Sequence, residues 1–317
     1  MGVVRVGTCS WTEPTMVKRW YPPDVTSPEE RLRYYAGQFD TVEVDSTFYA
    51  LPRRDVAARW AERTPDWFVF HIKAFGLMTG HSVEPRALPR DLRELPHGVT
   101  RHGRVKDPSF ELEEAVYERF REGIEPLREA GKLGGILLQF PVWFSSRDRK
   151  ERNRNLEHLE KVRSELEGYR LFVEFRHGSW VDDDHRADTL AFLAEHEMGY
   201  VSVDEPQVLG AATVPPIAEA TTDWAYVRFH GRNAETWSKR TEKASDRFDY
   251  LYSESELREW EGPVRSLAAA TETTFVLFNN NKYDYAQRNA QMMNEILGDL
   301  LLPVPHGTAA PQQEELF

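Results

Sequence analysis

The chain has 317 residues, of which 40% are hydrophobic, and its formal net charge at pH 7 is −12. No apolar run approaches the roughly 18 residues that span a bilayer, and a surface this acidic does not coat nucleic acid non-specifically. Because the N-terminus lacks a signal-peptide pattern, and the single cysteine, Cys9, excludes internal disulfides and multi-cysteine metal sites, we predict a cytoplasmic protein without a membrane partner.

Eight short runs rich in β-branched and aromatic residues recur along the chain and predict eight strands. In chain order they are 3–8, 41–46, 68–74, 134–140, 170–176, 200–204, 225–230 and 274–280. Most of the segments between them carry apolar residues at helical spacing, as in the helix that follows the capping signature Ser27-Pro28. Strands that alternate with helices indicate parallel βαβ units.

The segment 205–224 after the sixth strand is rich in Pro, Ala and Thr and has no helical stripe, so we predict a degenerate helix there. An open doubly wound sheet is the alternative, but neither a GxGxxG motif nor a P-loop follows the first strand. We therefore predict an α/β fold with a single (β/α)8 TIM-type barrel domain over 1–302 and a flexible tail over 303–317.

Polar residues alternate with apolar ones where the strands end, and side chains two apart on a strand share a face. The polar pairs are Glu43 and Asp45, His71 and Lys73, Glu174 and Arg176, Ser202 and Asp204, and Arg228 and His230. Thr8, Ser10, Gln139 and Asn279 extend the pattern on the other strands. If the apolar residues face the helices, the polar ones point into the C-terminal mouth of the barrel, where barrel enzymes carry their active sites.

Several chemistries fit such a pocket. The residues predicted to be catalytic are Glu43, Asp45, Lys73, Glu174, Asp204 and His230. Paired carboxylates can act as general acid and base, and a lysine near positive charge can form a Schiff base. The carboxylates with His71 and His230 could also hold a divalent metal, although no HxH or HExxH spacing supports one. The cofactor therefore stays open.

The residues predicted to bind substrate are Trp11, Tyr49, Gln139, Arg176, Trp180, Arg228 and Asn279. The two arginines, with Lys73, could grip a phosphate or a carboxylate. The aromatic rings could stack on a base, a sugar or a planar cofactor. Three stretches with a basic excess follow predicted strands, at 75–110, 141–155 and 231–248, and the long connections 75–112 and 231–252 are typical of binding loops.

The last residues of the chain resemble a known docking peptide. Gln313, Leu316 and Phe317 match the QxxLF-type pattern that bacterial proteins use to bind the replication sliding clamp. A Leu-Phe pair on a tether can fill an apolar pocket while the glutamine fixes its orientation. This prediction would place the protein near DNA.

Motifs along nearly the whole chain resemble the YecE-like family, domain of unknown function 72. They are GTCSW at 7–11, VEVDSTFY at 42–49, FHIKA at 70–74, LLQFP at 137–141, VEFRHGSW at 173–180, VRFHGRN at 227–233, FDYLYS at 248–253 and FNNN at 278–281. The resemblance implies an α/β barrel and names no reaction. His71 stands where the resemblance leads us to expect Phe, so a shared catalytic role for it is not expected.

Three hypotheses follow. The first is an enzyme, a hydrolase or lyase, that acts on a phosphate-bearing small molecule or nucleic acid in the mouth. The second is a non-catalytic adaptor that binds a nucleotide or anion in the barrel and the sliding clamp through its tail. The third is a sugar-processing barrel.

Overall fold

Eight parallel strands form a closed barrel in the computed structural model, which describes residues 2–208, 212–237 and 248–302. The strands are β1 Val3–Thr8, β2 Thr41–Val44, β3 Val69–Lys73, β4 Leu133–Gln139, β5 Leu171–Glu174, β6 Met198–Asp204, β7 Trp224–Phe229 and β8 Thr273–Phe278. Each pairs with its neighbours in sequence, and β8 pairs with β1. The predicted barrel is confirmed, with every strand within two residues of its predicted ends.

Helices fill most of the connections between these strands. They are α1 Pro14–Val17, α2 Pro28–Ala36, α3 Arg54–Glu62, α4 Phe110–Glu129, α5 Arg149–Glu165, α6 Arg186–Glu195, α7 Ala234–Trp237, α8 Glu254–Arg258, α9 Glu261–Ala270 and α10 Tyr285–Ile296. Ser27 starts α2 with a capping box, in which its hydroxyl accepts from the Glu30 amide and Glu30 accepts from the Ser27 amide. No helix of the described ranges is long and apolar enough to cross a membrane.

The connection between β6 and β7 lacks a helix in its described parts, 205–208 and 212–223, as the sequence predicts. It packs closely on the loop after β5 instead, since a Cβ on Gly178 would lie 2.4 Å from the Thr213 carbonyl oxygen. The predicted tail over 303–317, with the clamp-binding residues Gln313, Leu316 and Phe317, lies outside the described residues.

The connection from β3 to α4 is more ordered than a long polar loop. It contains three short 3-10 turns and an antiparallel hairpin between His97–Val99 and Val105–Pro108. Three apolar side chains of this connection, Val83, Leu88 and Leu92, are buried. These apolar side chains, widely spaced in a polar segment, anchor the connection to the hydrophobic core.

His71 on β3 lies deep in the barrel rather than at its mouth. Its ring centroid is 4.3 Å from that of Phe275 and 4.9 Å from that of Tyr226. Neither ring nitrogen has a hydrogen-bond partner within the described residues, and burial, helped by the distant charges of Arg5 and Arg170, lowers the pKa of His71 to about 3. The imidazole is therefore a neutral ring packed among aromatic side chains of the barrel interior.

Replacing His71 by phenylalanine is expected to raise the free energy of unfolding by about 1–2 kcal/mol, because it removes two buried and unpaired ring nitrogens. The gain should grow as the pH falls below about 6.5, since only the unfolded chain then protonates His71 in the parent protein. Urea unfolding at pH 5 and pH 8 measures both effects, with the exposed His102→Gln as the control. An equal gain at both pH values would contradict this explanation.

Candidate functional site

An arginine buried between two carboxylates forms the floor of the barrel mouth. Arg228, on β7, donates from Nε to Oε2 of Glu43 at 2.9 Å and from Nη2 to Oε1 at 2.6 Å, while its Nη1 donates to Glu174. The three side chains are fully buried and come from β7, β2 and β5. Arg228 is therefore fully buried and paired, a placement that argues against the substrate contact predicted from the sequence. It positions the two carboxylates instead.

Glu174 receives more hydrogen bonds than Glu43, and the two carboxyl groups differ in charge as a result. Gln139 Nε2 donates to its Oε1 at 2.7 Å, and Arg176 Nη1 approaches the same oxygen at 3.4 Å. Burial alone would raise the pKa of Glu174, but Arg228 and His230 outweigh burial and hold it well below its ordinary value. Burial raises the pKa of Glu43 to about 7 although Arg228 opposes this, and the nearby Asp45 adds to the rise.

His230 is held in one orientation by its two neighbours. Its Nε2 lies 2.9 Å from Oε1 of Glu174, and its Nδ1 lies 3.0 Å from the side-chain amide nitrogen of Asn279. The amide donates to Nδ1, so the proton resides on Nε2 and is donated to the carboxylate. Burial lowers the pKa of His230 to about 4 although Glu174 opposes this, and the ring is neutral at pH 7.

A chain of alternating charges runs from this floor to the rim. Nζ of Lys73 lies 3.4 Å from Asp45, and Asp45 lies 4.0 Å from Nη2 of Arg228. On the other side, Arg176 Nη2 lies 3.5 Å from Oε2 of Glu205. Side-chain exposure is 10% for Lys73, 18% for Arg176 and 26% for Asp45, against none for Arg228. Solvent thus reaches two cations and one carboxylate of the network.

The prediction that Ser202 and Asp204 of β6 point into the barrel mouth assigns these two side chains to the wrong face of the strand. Val203 is the register partner of Arg228, so Val203 and residues two apart from it face the barrel interior. Asp204 points outward, where it accepts hydrogen bonds from Tyr252 at 2.6 Å and Trp260 at 2.7 Å and pairs with Arg232. All seven residues of β6 are buried, so alternation of polarity does not reveal which face is inward.

The same error affects β1. Thr8 turns outward, and its hydroxyl lies 2.9 Å from that of Tyr35 on α2. Cys9 takes the inward position, with Sγ 3.6 Å from Nη2 of Arg228. Burial, reinforced by Glu43, raises the pKa of the Cys9 thiol well above its ordinary value, so Cys9 is a neutral core residue.

Glu205 is the inward residue that the sequence analysis missed. Its side chain is almost fully buried, and Oε1 accepts from the Val214 amide at 2.8 Å. Oε2 has no hydrogen-bond partner among the described residues. Burial raises the pKa of Glu205 to about 7, with Arg176 opposing and Glu174 and Asp204 adding to the rise. A correct register for β6 would have found it.

The predicted aromatic ligands of substrate divide into buried and exposed rings. Trp180 is fully buried, stacks on Phe175 at 4.6 Å and donates to the Phe144 carbonyl at 2.7 Å, a placement that argues against the predicted substrate contact. Trp11 is nearly buried. Tyr49 and another ring, Trp143, are 62% and 57% exposed at the rim after β2 and β4.

His81 is a second residue that the sequence analysis missed. Its ring lies 4.9 Å from that of Phe48, whose face is covered by Nζ of Lys73, and 6.3 Å from that of Trp143. Burial, then the charges of Lys73 and Arg176, lower the pKa of His81 to about 4. Positive potential from both rim cations therefore converges on this position.

The predicted metal ligands do not assemble. Within 2–208, 212–237 and 248–302, no three His, Cys, Asp or Glu side chains are grouped so that they could hold a metal ion. Arg228 occupies the space between Glu43 and Glu174, and Asp204 is on the outer face. Among the described residues, the mouth offers hydrogen-bond donors and two carboxylate oxygens that accept no hydrogen bond, Oδ1 of Asp45 and Oε2 of Glu205.

Known proteins resemble this chain over its full length. It is 30% identical to the UPF0759 protein YunF of Bacillus subtilis, over 99% of this chain and all of that one. The structure of a DUF72 family protein from Thermotoga maritima has a TM-score of 0.73 and 33% identity and covers 93% of this chain and 99% of that one. One from Enterococcus faecalis has a TM-score of 0.72 and 25% identity, over 94% and 98%.

The sequence profile described as "Protein of unknown function DUF72" matches residues 5–314. Together with the full-length relative, this match shows that the chain belongs to the DUF72 family.

Proposed function

We propose that the protein is an enzyme that acts on a phosphate-bearing substrate at the mouth of the barrel. The observation that carries the proposal is the arrangement of Lys73 and Arg176, two solvent-reached cations above a floor of fully buried charges. Buried charged groups add little to the stability of a protein, so a cluster of them indicates a functional site. Barrel enzymes carry their active sites at this end of the barrel.

Lys73 and Arg176 have hydrogen-bonding capacity left for an anion. Lys73 has Asp45 as its ion-pair partner at 3.4 Å, and an ammonium group carries three donors. The contacts of Arg176 with Glu174 and Glu205, at 3.4 and 3.5 Å, are longer than good charge-assisted hydrogen bonds. A phosphate group would improve on both sets of contacts.

Glu205 supplies the proton transfer in this proposal. A carboxyl group with a pKa near 7 gives and takes a proton at neutral pH, which suits both hydrolysis and elimination. Its Oε2, which accepts no hydrogen bond within the described residues, lies 3.5 Å from Nη2 of Arg176. A phosphate bound to that arginine would therefore bring a substrate oxygen close to the Glu205 carboxyl group. Glu174 stays ionised and fixes Arg176 and His230, so it acts as a positioning residue.

Calorimetric titration with inorganic phosphate and with a phosphate monoester tests the site. Lys73→Met and Arg176→Met are each expected to weaken binding about 10- to 100-fold, because each removes a charge-assisted hydrogen bond. The control is Arg128→Met, an exposed arginine at the end of α4, which should bind as the parent does. Glu205→Gln should retain binding and lose turnover of any ester that the parent converts.

Unchanged phosphate affinity in both Lys73→Met and Arg176→Met would contradict the proposal.

Nucleic acid is a polymeric member of the same phosphate-bearing substrate class. The exposed rings of Tyr49 and Trp143 at the rim support a nucleic-acid substrate, since bases stack on exposed aromatic side chains.

A further inference from the structure

A cavity of about 200 Å³ lies beside the mouth, between the end of β2, the loop after β1 and helices α2 and α3. Its walls are apolar where Trp11, Leu32, Val44 and Trp60 line it. Hydroxyl and charged groups line the rest, namely Ser10, Thr12, Glu43, Asp45, Ser46 and Arg63. Binding sites for small molecules combine these two kinds of lining in the same way, with a few polar groups that fix orientation.

The lining of this cavity suits a flat heteroaromatic ring. Trp11 and Trp60 both line it and meet edge to face at 5.6 Å, so two indole rings border the cavity. A nucleobase has apolar faces and a hydrogen-bonding edge, so it matches both kinds of wall. A sugar can also stack its C–H face on an indole ring, so sugar occupancy is the outcome that the ribose 5-phosphate titration below distinguishes.

Asp45 connects the cavity to Lys73, one of the two rim cations. Asp45 lines the cavity, and its Oδ1 lies 3.4 Å from Nζ of Lys73. A molecule whose ring occupies the cavity is therefore separated from Lys73 by the Asp45 carboxylate. We infer that the cavity binds the base of a nucleoside phosphate whose phosphate is held at Lys73 and Arg176, an inference that rests on the function proposed above.

Four ligands separate the contributions of phosphate, sugar and base: inorganic phosphate, ribose 5-phosphate, AMP and CMP, each titrated calorimetrically at pH 7. At least one nucleotide is expected to bind at least about tenfold more tightly than ribose 5-phosphate, because stacking of a base on aromatic side chains contributes this much or more. The variant Thr12→Trp fills the cavity from an exposed position and should abolish this difference, while Thr12→Ala should preserve it.

Equal affinities for ribose 5-phosphate and both nucleotides would overturn the base site and leave the phosphate site standing. A nucleotide preference that survives in Thr12→Trp would also overturn it, because the base would then bind elsewhere. Failure of all four ligands to bind would overturn this inference together with the proposed function. Retained binding of ribose 5-phosphate by Thr12→Trp shows that the variant is folded and that the phosphate site is intact.

Discussion

Replacing Arg228 by methionine is expected to lower the free energy of unfolding by about 3–5 kcal/mol. The substitution keeps most of the side-chain volume but leaves Glu43 and Glu174 buried without their shared cation. Urea unfolding at pH 7 measures the loss. Arg228→Lys keeps the charge without the two-pronged contact to Glu43 and should lose less.

The pH dependence of this loss identifies its cause. Without the guanidinium, both carboxyl groups have raised pKa values in the folded protein, so they cost stability when ionised and much less when protonated. The deficit of Arg228→Met should therefore be smaller at pH 5 than at pH 8. Arg128→Met, on the exposed surface of α4, should unfold within about 0.5 kcal/mol of the parent at both pH values. A deficit that does not change with pH would exclude the buried-carboxylate explanation.

The sequence predicts the inward residues on strands whose ends carry charge. Glu43, Glu174 and Arg228 cannot be buried against the apolar helices without partners, so the barrel interior is the side on which they can find one another. The partners come from β2, β5 and β7, which are far apart in the chain, and the pairing pattern itself is therefore a result of barrel closure. The charged residues at the strand ends therefore predict where the site lies, whereas the ion pairs that they form follow from the closure of the barrel.

The inward residues of β6 are harder to predict because the strand is buried on both faces. Ser202 and Asp204 look like an inward pair in sequence, yet Asp204 is satisfied outside the barrel by Tyr252, Trp260 and Arg232. Its three partners come from segments after β7, so no local pattern around β6 contains this information. Register alone turns Glu205 toward Arg176.

For aromatic residues that follow a strand, the sequence likewise does not show whether the ring packs in the core or lies exposed at the rim. Substitutions distinguish these two roles. Trp180→Ala is expected to lower the free energy of unfolding by about 3–5 kcal/mol, because it empties a fully buried site between Phe144 and Phe175. Trp143→Ala should change it by less than about 0.5 kcal/mol, because more than half of that ring is exposed.

Binding of short single-stranded oligothymidylate tests which of the two rings, Trp143 or Trp180, contacts a ligand. The bases of this ligand can stack on exposed rings, whereas inorganic phosphate has no base. Trp143→Ala is expected to weaken oligothymidylate binding about fivefold or more while its affinity for inorganic phosphate stays unchanged. Trp180→Ala, measured at a temperature where it remains folded, should bind both ligands as the parent does. If Trp180→Ala instead lost oligothymidylate binding and Trp143→Ala kept it, the buried ring would be the one that governs the site, and the rim would have no part in recognition.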